Sequence, residues 1–392
     1  MRHVGIICEY NPFHSGHAHL IGRVRGAKTV ICLMSGPFTQ RGEAALLPPV
    51  ERAAMAIRAG ADLVLELPFP YAAGSARYFA EAGVRALAGL GVDSLAFGSE
   101  SADADAIVAA AGRSCEADFI KKVANVPQNT GDAAAFFAAL GEARVPPNDI
   151  LAVEYARAAR VGKFDLELLP ILRVGAGYHS TDATAAFPSA TALRAKLAAG
   201  EDISGDLPLA VRAQWCAALS RWGGVADTRR LGAPMLAVLR AMNAKEAATG
   251  VKTGDAAFAD CAGGLLERLM RAAAHATDYE GLCRAAATKR YTDGRIRRAL
   301  LYLIGGVTRE DLASPPAYLR LLAANERGRK FLSETRKSRT VPVVTKPCEI
   351  KALGKGAQRA AALQQLACGL YALCMPNATD PAVLLTQPPY LI

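Results

Sequence analysis

No stretch of this 392-residue chain approaches the ~18 consecutive apolar residues that a membrane-crossing helix needs, although 52% of its residues are hydrophobic. No basic leader followed by an apolar core and a small-residue cleavage site is present either, so the expected location is cytoplasmic. C-x-x-C pairs are missing. The nine cysteines are scattered, the nearest two being Cys368 and Cys374, which argues against a structural zinc site and for reduced, packed thiols. Internal repeats and low-complexity tracts are also absent, which excludes a solenoid.

What the chain does have is length and an uneven charge. Its size and apolar content suffice for two or three domains with real cores. From Met1 to Ser180 there are 17 Lys and Arg against 18 Asp and Glu, a net of −1; from Thr181 onward there are 29 against 18, a net of +11. A neutral first half and a basic second half direct the second half towards a polyanion. A general basic bias is the plainer alternative.

Strand-like apolar runs at Val4–Cys8, Thr29–Met34, Asp62–Leu67 and Ser94–Phe97 alternate with helix-length segments at Gly16–Val24, Pro49–Ala59 and Ser75–Leu90. That alternation predicts βαβ units and a parallel sheet, an α/β fold. Asp103–Arg144 reads as helical, Leu166–Arg173 as a further strand, and Ser189 as a helix start. Beyond about residue 202 strand signals fade. Leu231–Ala244, Phe258–His275, Arg295–Ile304 and Pro316–Ala324 carry helical spacing, so the expected division is residues 1–200 and a mainly α-helical 201–392. Arg339–Ala352 reads as an irregular strand or connection.

The chemistry concentrates at Gly5–His19, GIICEYNPFHSGHAH. An apolar strand runs into an Asn11-Pro12 turn and then a helix start, a geometry that aims backbone N–H groups and the positive helix end at one point, where phosphate binds. His14 and His17 stand three residues apart and share one side of the first helical turn. Both are placed to donate to phosphate oxygens as charge shifts on them, a contribution of about 3 kcal/mol per preorganised donor. Capping or surface roles are the alternative. Ser189-Ala190-Thr191 with Arg194 is a second helix start, with hydroxyls, amides and a cationic fork. Loops at Ser35-Gly36 and Gly98-Ser99-Glu100 should open at the same sheet end, and Arg41 has the planar fork that suits a carboxylate.

The pairing of H-x-G-H with a distant S-x-T-x-x-R helix start resembles the nucleotidylyltransferase superfamily of Rossmann-like folds. GIICEYNPFHSGH, MSGPFTQRGE, LELPFPYAAGSARYFAEAGV, FGSES, RVGAGYH and TKRYTDGRIRR together resemble the bacterial tRNA(Met) cytidine acetate ligase family, from Val4 to at least Lys346. The resemblance implies that ATP and acetate form acetyl-adenylate, with Mg²⁺ accompanying the ATP. The acetyl group then passes to N4 of the wobble cytidine of elongator tRNA(Met). It also implies an ATP site made of Ile7, Cys8, Glu9, Tyr10, Asn11, Pro12, Phe13, His14, Ser15, Gly16, His17, Ala18, His19 and Leu20. Gly98, Asn148, Arg173, Val174, Ser189 and Thr191 complete that site, with His14, His17 and Arg194 catalytic. Ala190 departs from the superfamily, where a second serine is common, and no KMSKS-like loop is present.

Arg284, Lys289, Arg290, Arg295, Arg297 and Arg298, with Tyr291 among them, form a basic run against the single acid Asp293. Cations beside an aromatic that can stack on an unpaired base suit an RNA loop. The expected tRNA contacts are therefore Lys289, Arg290, Tyr291, Arg295, Arg297 and Arg298. Two other functions fit the phosphate motifs: transfer of a nucleotidyl group to a small phosphorylated acceptor, and ATP and RNA binding without chemistry.

Overall fold

The computed structural model describes residues 2–126, 132–141, 147–174, 188–254 and 258–392. Strand β1 (His3–Cys8) leads through α1 (Ser15–Arg23) to β2 (Thr29–Ser35), α2 (Pro49–Arg58), β3 (Leu63–Leu67), α3 (Ala76–Leu90) and β4 (Ser94–Ser99). Helices α4 (Ala104–Arg113), α5 (Phe119–Ala124), α6 (Asp132–Ala139) and α7 (Pro147–Gly162) precede β5 (Glu167–Leu172) and α8 (Ala190–Ala198). Among the described residues the strands and helices expected in this part form, while residues 127–131 and 142–144 of the expected helical stretch Asp103–Arg144 lie outside them.

The sheet order is β5-β4-β1-β2-β3-β6-β7. Pairing is parallel from β5 through β3, with Ile6 opposite Cys32 and Leu33 opposite Leu65. Every residue of β2 is buried because both faces of the sheet are covered, which is why its sequence is a continuous apolar run. Successive residues serve opposite faces: Ile6 joins the core shared with the later helices, and Ile7 joins the core beneath α3 and α7. The chain leaves β1 towards β2 on one side and returns to β4 on the other. The carboxyl ends of β1 and β4 therefore flank the switch point where such sheets bind ligands.

Past residue 200 comes a helical module: α9 (Leu209–Trp222), α10 (Gly232–Thr249), α11 (Leu265–His275), α12 (Tyr279–Ala286), α13 (Asp293–Gly305) and α14 (Arg309–Ala313). The chain then returns to the sheet with β6 (Leu319–Ala324), α15 (Glu326–Glu334), β7 (Val343–Val344), α16 (Lys355–Cys374), α17 (Pro381–Thr386) and β8 (Tyr390–Leu391). The stretch Pro316–Ala324 is thus a correction: it is a strand, not a helix. β6 runs antiparallel to β3 with Glu66 opposite Arg320, and it is buried throughout. A short leucine-rich apolar run fits a buried helix or a buried strand equally well. Here the open edge of β3 decides, because its amides need a partner. Phe258–His275 is shortened too, since Gly263 and Gly264 both take positive φ (81° and 89°) and α11 starts only after them.

One contiguous apolar core joins β1 and β2 to Trp215, Leu269, Tyr302 and Tyr371, so the helical module and the chain's end pack on the sheet directly. Among the described residues no helix is long and apolar enough to cross a membrane, and all nine cysteines are free, six of them buried.

Candidate functional site

The turn between β1 and α1 is held from several sides. Asn11 Oδ1 accepts the Leu46 N–H at 2.7 Å, and the Asn11 carbonyl accepts from Arg194 at 2.8 Å. Arg52, fully buried on α2, donates to the carbonyls of Leu47 (2.9 Å), Ser35 (3.0 Å), Glu9 and Gly36. One guanidinium thereby ties the loop after β1 to the loop after β2. Its only sequence signal was a charge set in an otherwise apolar helix face, and sequence reasoning missed it.

His14 is the N-cap of α1, and with His17 it forms a capping box made of imidazoles. His14 Nδ1 accepts the Gly16 N–H at 3.0 Å, and His17 Nδ1 accepts the His14 N–H at 3.3 Å. The rings lie against each other, tilted by 32° with centroids 3.7 Å apart. Burial lowers the pKa of His14 to about 3, helped by Arg173 and Arg194. Burial likewise pushes His17 well below the ordinary histidine value, with His14 and Arg173 adding to it. Both rings are therefore neutral near pH 7. Because each Nδ1 accepts a hydrogen bond, each ring carries its proton on Nε2. The pair is a set of two Nε2–H donors whose orientation is fixed by the helix start itself.

The walls of the cleft beside them contain most of the expected nucleotide residues: Ile7, Cys8, Glu9, Tyr10, Asn11, His14, Gly16, His17, His19, Leu20, Gly98, Arg173, Val174, Ser189, Thr191 and Arg194. Pro12, Phe13, Ser15 and Ala18 are not in the wall. Phe13 is fully buried behind it, against Tyr10 and His17. Ser189 caps α8 by accepting the Ala192 N–H at 3.0 Å, and Arg194 also donates to Thr191 Oγ1 at 3.3 Å. The S-x-T-x-x-R segment thus stands across the cleft from the histidines. Asn148 lies in the first turn of α7, but its side chain is outside the described residues, as is the Gly175–His179 loop. Its neighbour Asp149 is buried and accepts from Ser99 Oγ (2.6 Å) and from the N–H groups of Glu100 (3.0 Å) and Ser101 (3.1 Å), which orders the loop after β4.

Several wall residues were not expected. Phe79, Phe97, Leu151 and Tyr155 form an apolar aromatic side, with Phe97 and Tyr155 rings 5.7 Å apart, a surface suited to a purine base. Thr39, Gln40 and Glu43 stand in the wall as well, beside Arg41, whose planar fork suits a carboxylate. Their loop is docked on α13: Gly42 has φ 71°, and a Cβ there would come within 2.6 Å of Arg298 N. Glu43 ion-pairs with Arg297 beside it.

The expected tRNA residues divide. Lys289 is exposed and Arg290 half-exposed. Tyr291 is buried, with its hydroxyl donating to the Gly263 carbonyl and with Arg290 and Arg295 over its ring at 5.5 and 5.3 Å. Arg295 donates to the Ala262 carbonyl at 2.8 Å, Arg298 ion-pairs with Asp260 at 2.7 Å, and Arg297 holds Glu43. Exposed cations on other helices of the module, Arg271 on α11 and Arg284 on α12, line the surface instead.

The profile of the HIGH nucleotidyl transferase family matches residues 1–383. The tRNA(Met) cytidine acetate ligase of Syntrophotalea carbinolica is 38% identical over 88% of this chain and 85% of its own. That of Acetivibrio thermocellus is 32% identical over 96% of each. Among solved structures, Thermotoga maritima TmcAL in its apo form covers the whole chain with a TM-score of 0.91 at 26% identity, and the same protein bound to alpha-thio ATP gives 0.87. The histidine donor pair at the switch point, the facing S-x-T-x-x-R helix and these likenesses along the full length agree: the chain belongs to the tRNA(Met) cytidine acetate ligase family of HIGH nucleotidyl transferases.

Proposed function

We propose that this protein is an ATP-dependent ligase that activates acetate as acetyl-adenylate and transfers the acetyl group to N4 of the wobble cytidine of elongator tRNA(Met). The observation that carries this reading is the neutral His14–His17 pair, which lines the cleft at a helix N-terminus with Nε2–H as the donor each ring has left. Acetate oxygen attacks the α-phosphorus and pyrophosphate leaves. The two Nε2–H donors, the positive end of the α1 dipole, Arg194 and Arg173 then meet the charge that gathers on the phosphate oxygens. Neutral donors suit this task, since they bind the transition state without trapping the adenylate as a tight ion pair. Adenine lies against Phe97 and Tyr155 in this reading, and Gly98 lets the nucleoside approach the backbone.

Mg²⁺ accompanies the triphosphate in this reading, with phosphate oxygens among its ligands. The tRNA is held by the helical module through Lys289, Arg290, Arg271 and Arg284, and the protein works in the cytoplasm. Arg295, Arg297 and Arg298 build that module rather than touch phosphate.

Mass spectrometry of tRNA incubated with the protein, ATP and labelled acetate tests this. A labelled acetyl group on the wobble cytidine is expected. ATP–pyrophosphate exchange that needs a phosphorylated acceptor instead of acetate would assign nucleotidyl transfer to a small molecule, and no exchange at all would leave ATP binding without chemistry.

A further inference from the structure

Acetyl transfer needs a proton acceptor. The exocyclic amine of cytidine is a weak nucleophile because its lone pair is delocalised into the ring. As its nitrogen bonds to the acetyl carbon it must lose a proton. The histidines and carboxylates of the cleft wall are Glu9, His14, His17, Glu43 and, further along α1, His19. His14 and His17 have their Nδ1 lone pairs committed to backbone amides and their Nε2 atoms protonated, and burial makes both very weak bases. The Glu43 carboxylate is paired with Arg297.

Glu9 differs from all of these. It follows β1 directly, lines the cleft and is half-buried. Its Oε1 accepts the Gln40 N–H at 2.6 Å, while its Oε2 accepts no hydrogen bond among the described residues. Its backbone is fixed by Arg52. Arg194, which lines the same cleft, acts electrostatically on both Glu9 and His14. A carboxylate there repels phosphate oxygens, and among the described residues Glu9 joins no group of three His, Cys, Asp or Glu side chains. Burial raises its pKa above the ordinary carboxyl value, against the opposing pull of the Gln40 amide, Arg41 and Arg194, which strengthens it as a base.

We propose that Glu9 is the general base of the transfer step, an assignment that rests on the ligase reading above. The cytidine N4 attacks the carbonyl carbon of acetyl-adenylate and the new C–N bond forms. The bond from that carbon to the phosphate oxygen breaks, AMP leaves as an anion, and the amine proton passes to Glu9 Oε2. Release of that proton to solvent restores the carboxylate.

Separating the two half-reactions tests the assignment. With preformed acetyl-adenylate and tRNA, Glu9→Gln is expected to slow single-turnover transfer about a hundredfold. It should also remove the limb of the pH profile in which the wild-type rate rises as Glu9 loses its proton. Acetate-dependent ATP–pyrophosphate exchange should fall much less, and Glu9→Asp should recover part of the transfer rate. Equal losses in both half-reactions assign Glu9 to ATP binding and overturn the proposal, as does undiminished transfer by Glu9→Gln. Wild-type protein lacking acetate-dependent exchange overturns the ligase reading instead.

Discussion

In the cleft, His14 and His17 tie their Nδ1 atoms to backbone amides and keep Nε2–H as their remaining donor. In the helical module, Arg295, Arg297 and Arg298 do the reverse, turning their guanidiniums inward onto Ala262, Glu43 and Asp260. Both motifs looked equally functional as strings of residues. The difference lies in what each group has within reach. A helix start leaves amides that fix an imidazole's tautomer and leave its donor free. A helix packed on a core offers carbonyls and carboxylates that hold the guanidiniums in place. Polar residue type therefore indicates chemistry only once the partners of each atom are known.

The strongest break in that comparison is His17→Ala. It removes one preorganised donor and the partner that caps His14, so acetate-dependent ATP–pyrophosphate exchange should fall about 10²- to 10³-fold. tRNA affinity should hold, because the helical module is untouched. An exchange rate near that of the wild type would show that the pair does not face the reacting phosphate. The neutral state of His14 also has a pH signature. Its folded pKa of about 3 lies below the ordinary histidine value, so the unfolded chain takes up a proton that the folded one refuses. Its contribution to stability should be intact above about pH 6.5 and decline as the pH falls towards 3. His14→Gln, which keeps an acceptor without that titration, should flatten the acid side of the unfolding curve measured by urea titration.

The contrast between inward and outward cations gives the next pair. Arg297 holds Glu43 and, with Gly42 packed on the backbone of α13, positions the loop that brings Gln40 and Arg41 to the cleft. Arg297→Ala should lower turnover in exchange by about tenfold, the size expected for slight misplacement of reacting groups. The salt dependence of tRNA binding should stay unchanged. The double change of Lys289 and Arg290 to Ala should do the opposite, weakening tRNA binding and lowering the salt slope by about 2. If Arg297→Ala reduced the salt slope instead, the guanidinium would be meeting RNA phosphate and not Glu43.

Much of this was legible in the chain, and unevenly so. The first sheet strands stood out because burial on both faces imposes continuous apolar runs such as Thr29–Met34. The histidine motif was legible because strand, turn and helix start lie within Gly5–His19, so its geometry is local. Arg52, Asp149 and the Glu43–Arg297 pair were not legible, because each acts through atoms far along the chain: Arg52 reaches back to Glu9, and Glu43 reaches Arg297. Strand β6 was misread for the same reason. Leu319–Ala324 is a strand only because β3 offers an edge, and that edge is made by residues 63–67.

Tyr291 gives the smallest and most discriminating test of the same contrast. Beside Lys289 and Arg290 it reads as a platform for an unpaired base, yet its ring is buried under Arg290 and Arg295 and its hydroxyl is spent on the Gly263 carbonyl. Tyr291→Phe keeps the ring and both cation contacts and removes only that hydrogen bond. The loss should lower stability by about 1 kcal/mol and leave tRNA affinity where it was. Tyr291→Ala removes the platform on which Arg290 and Arg295 rest, and should lower the melting temperature several times further. Any loss of RNA binding in that variant should track the loss of folded protein. A variant that stays folded yet binds tRNA more weakly would show that the ring turns outward to meet a base, and the division between a directed cleft and an inward-facing module would have to be redrawn at this residue.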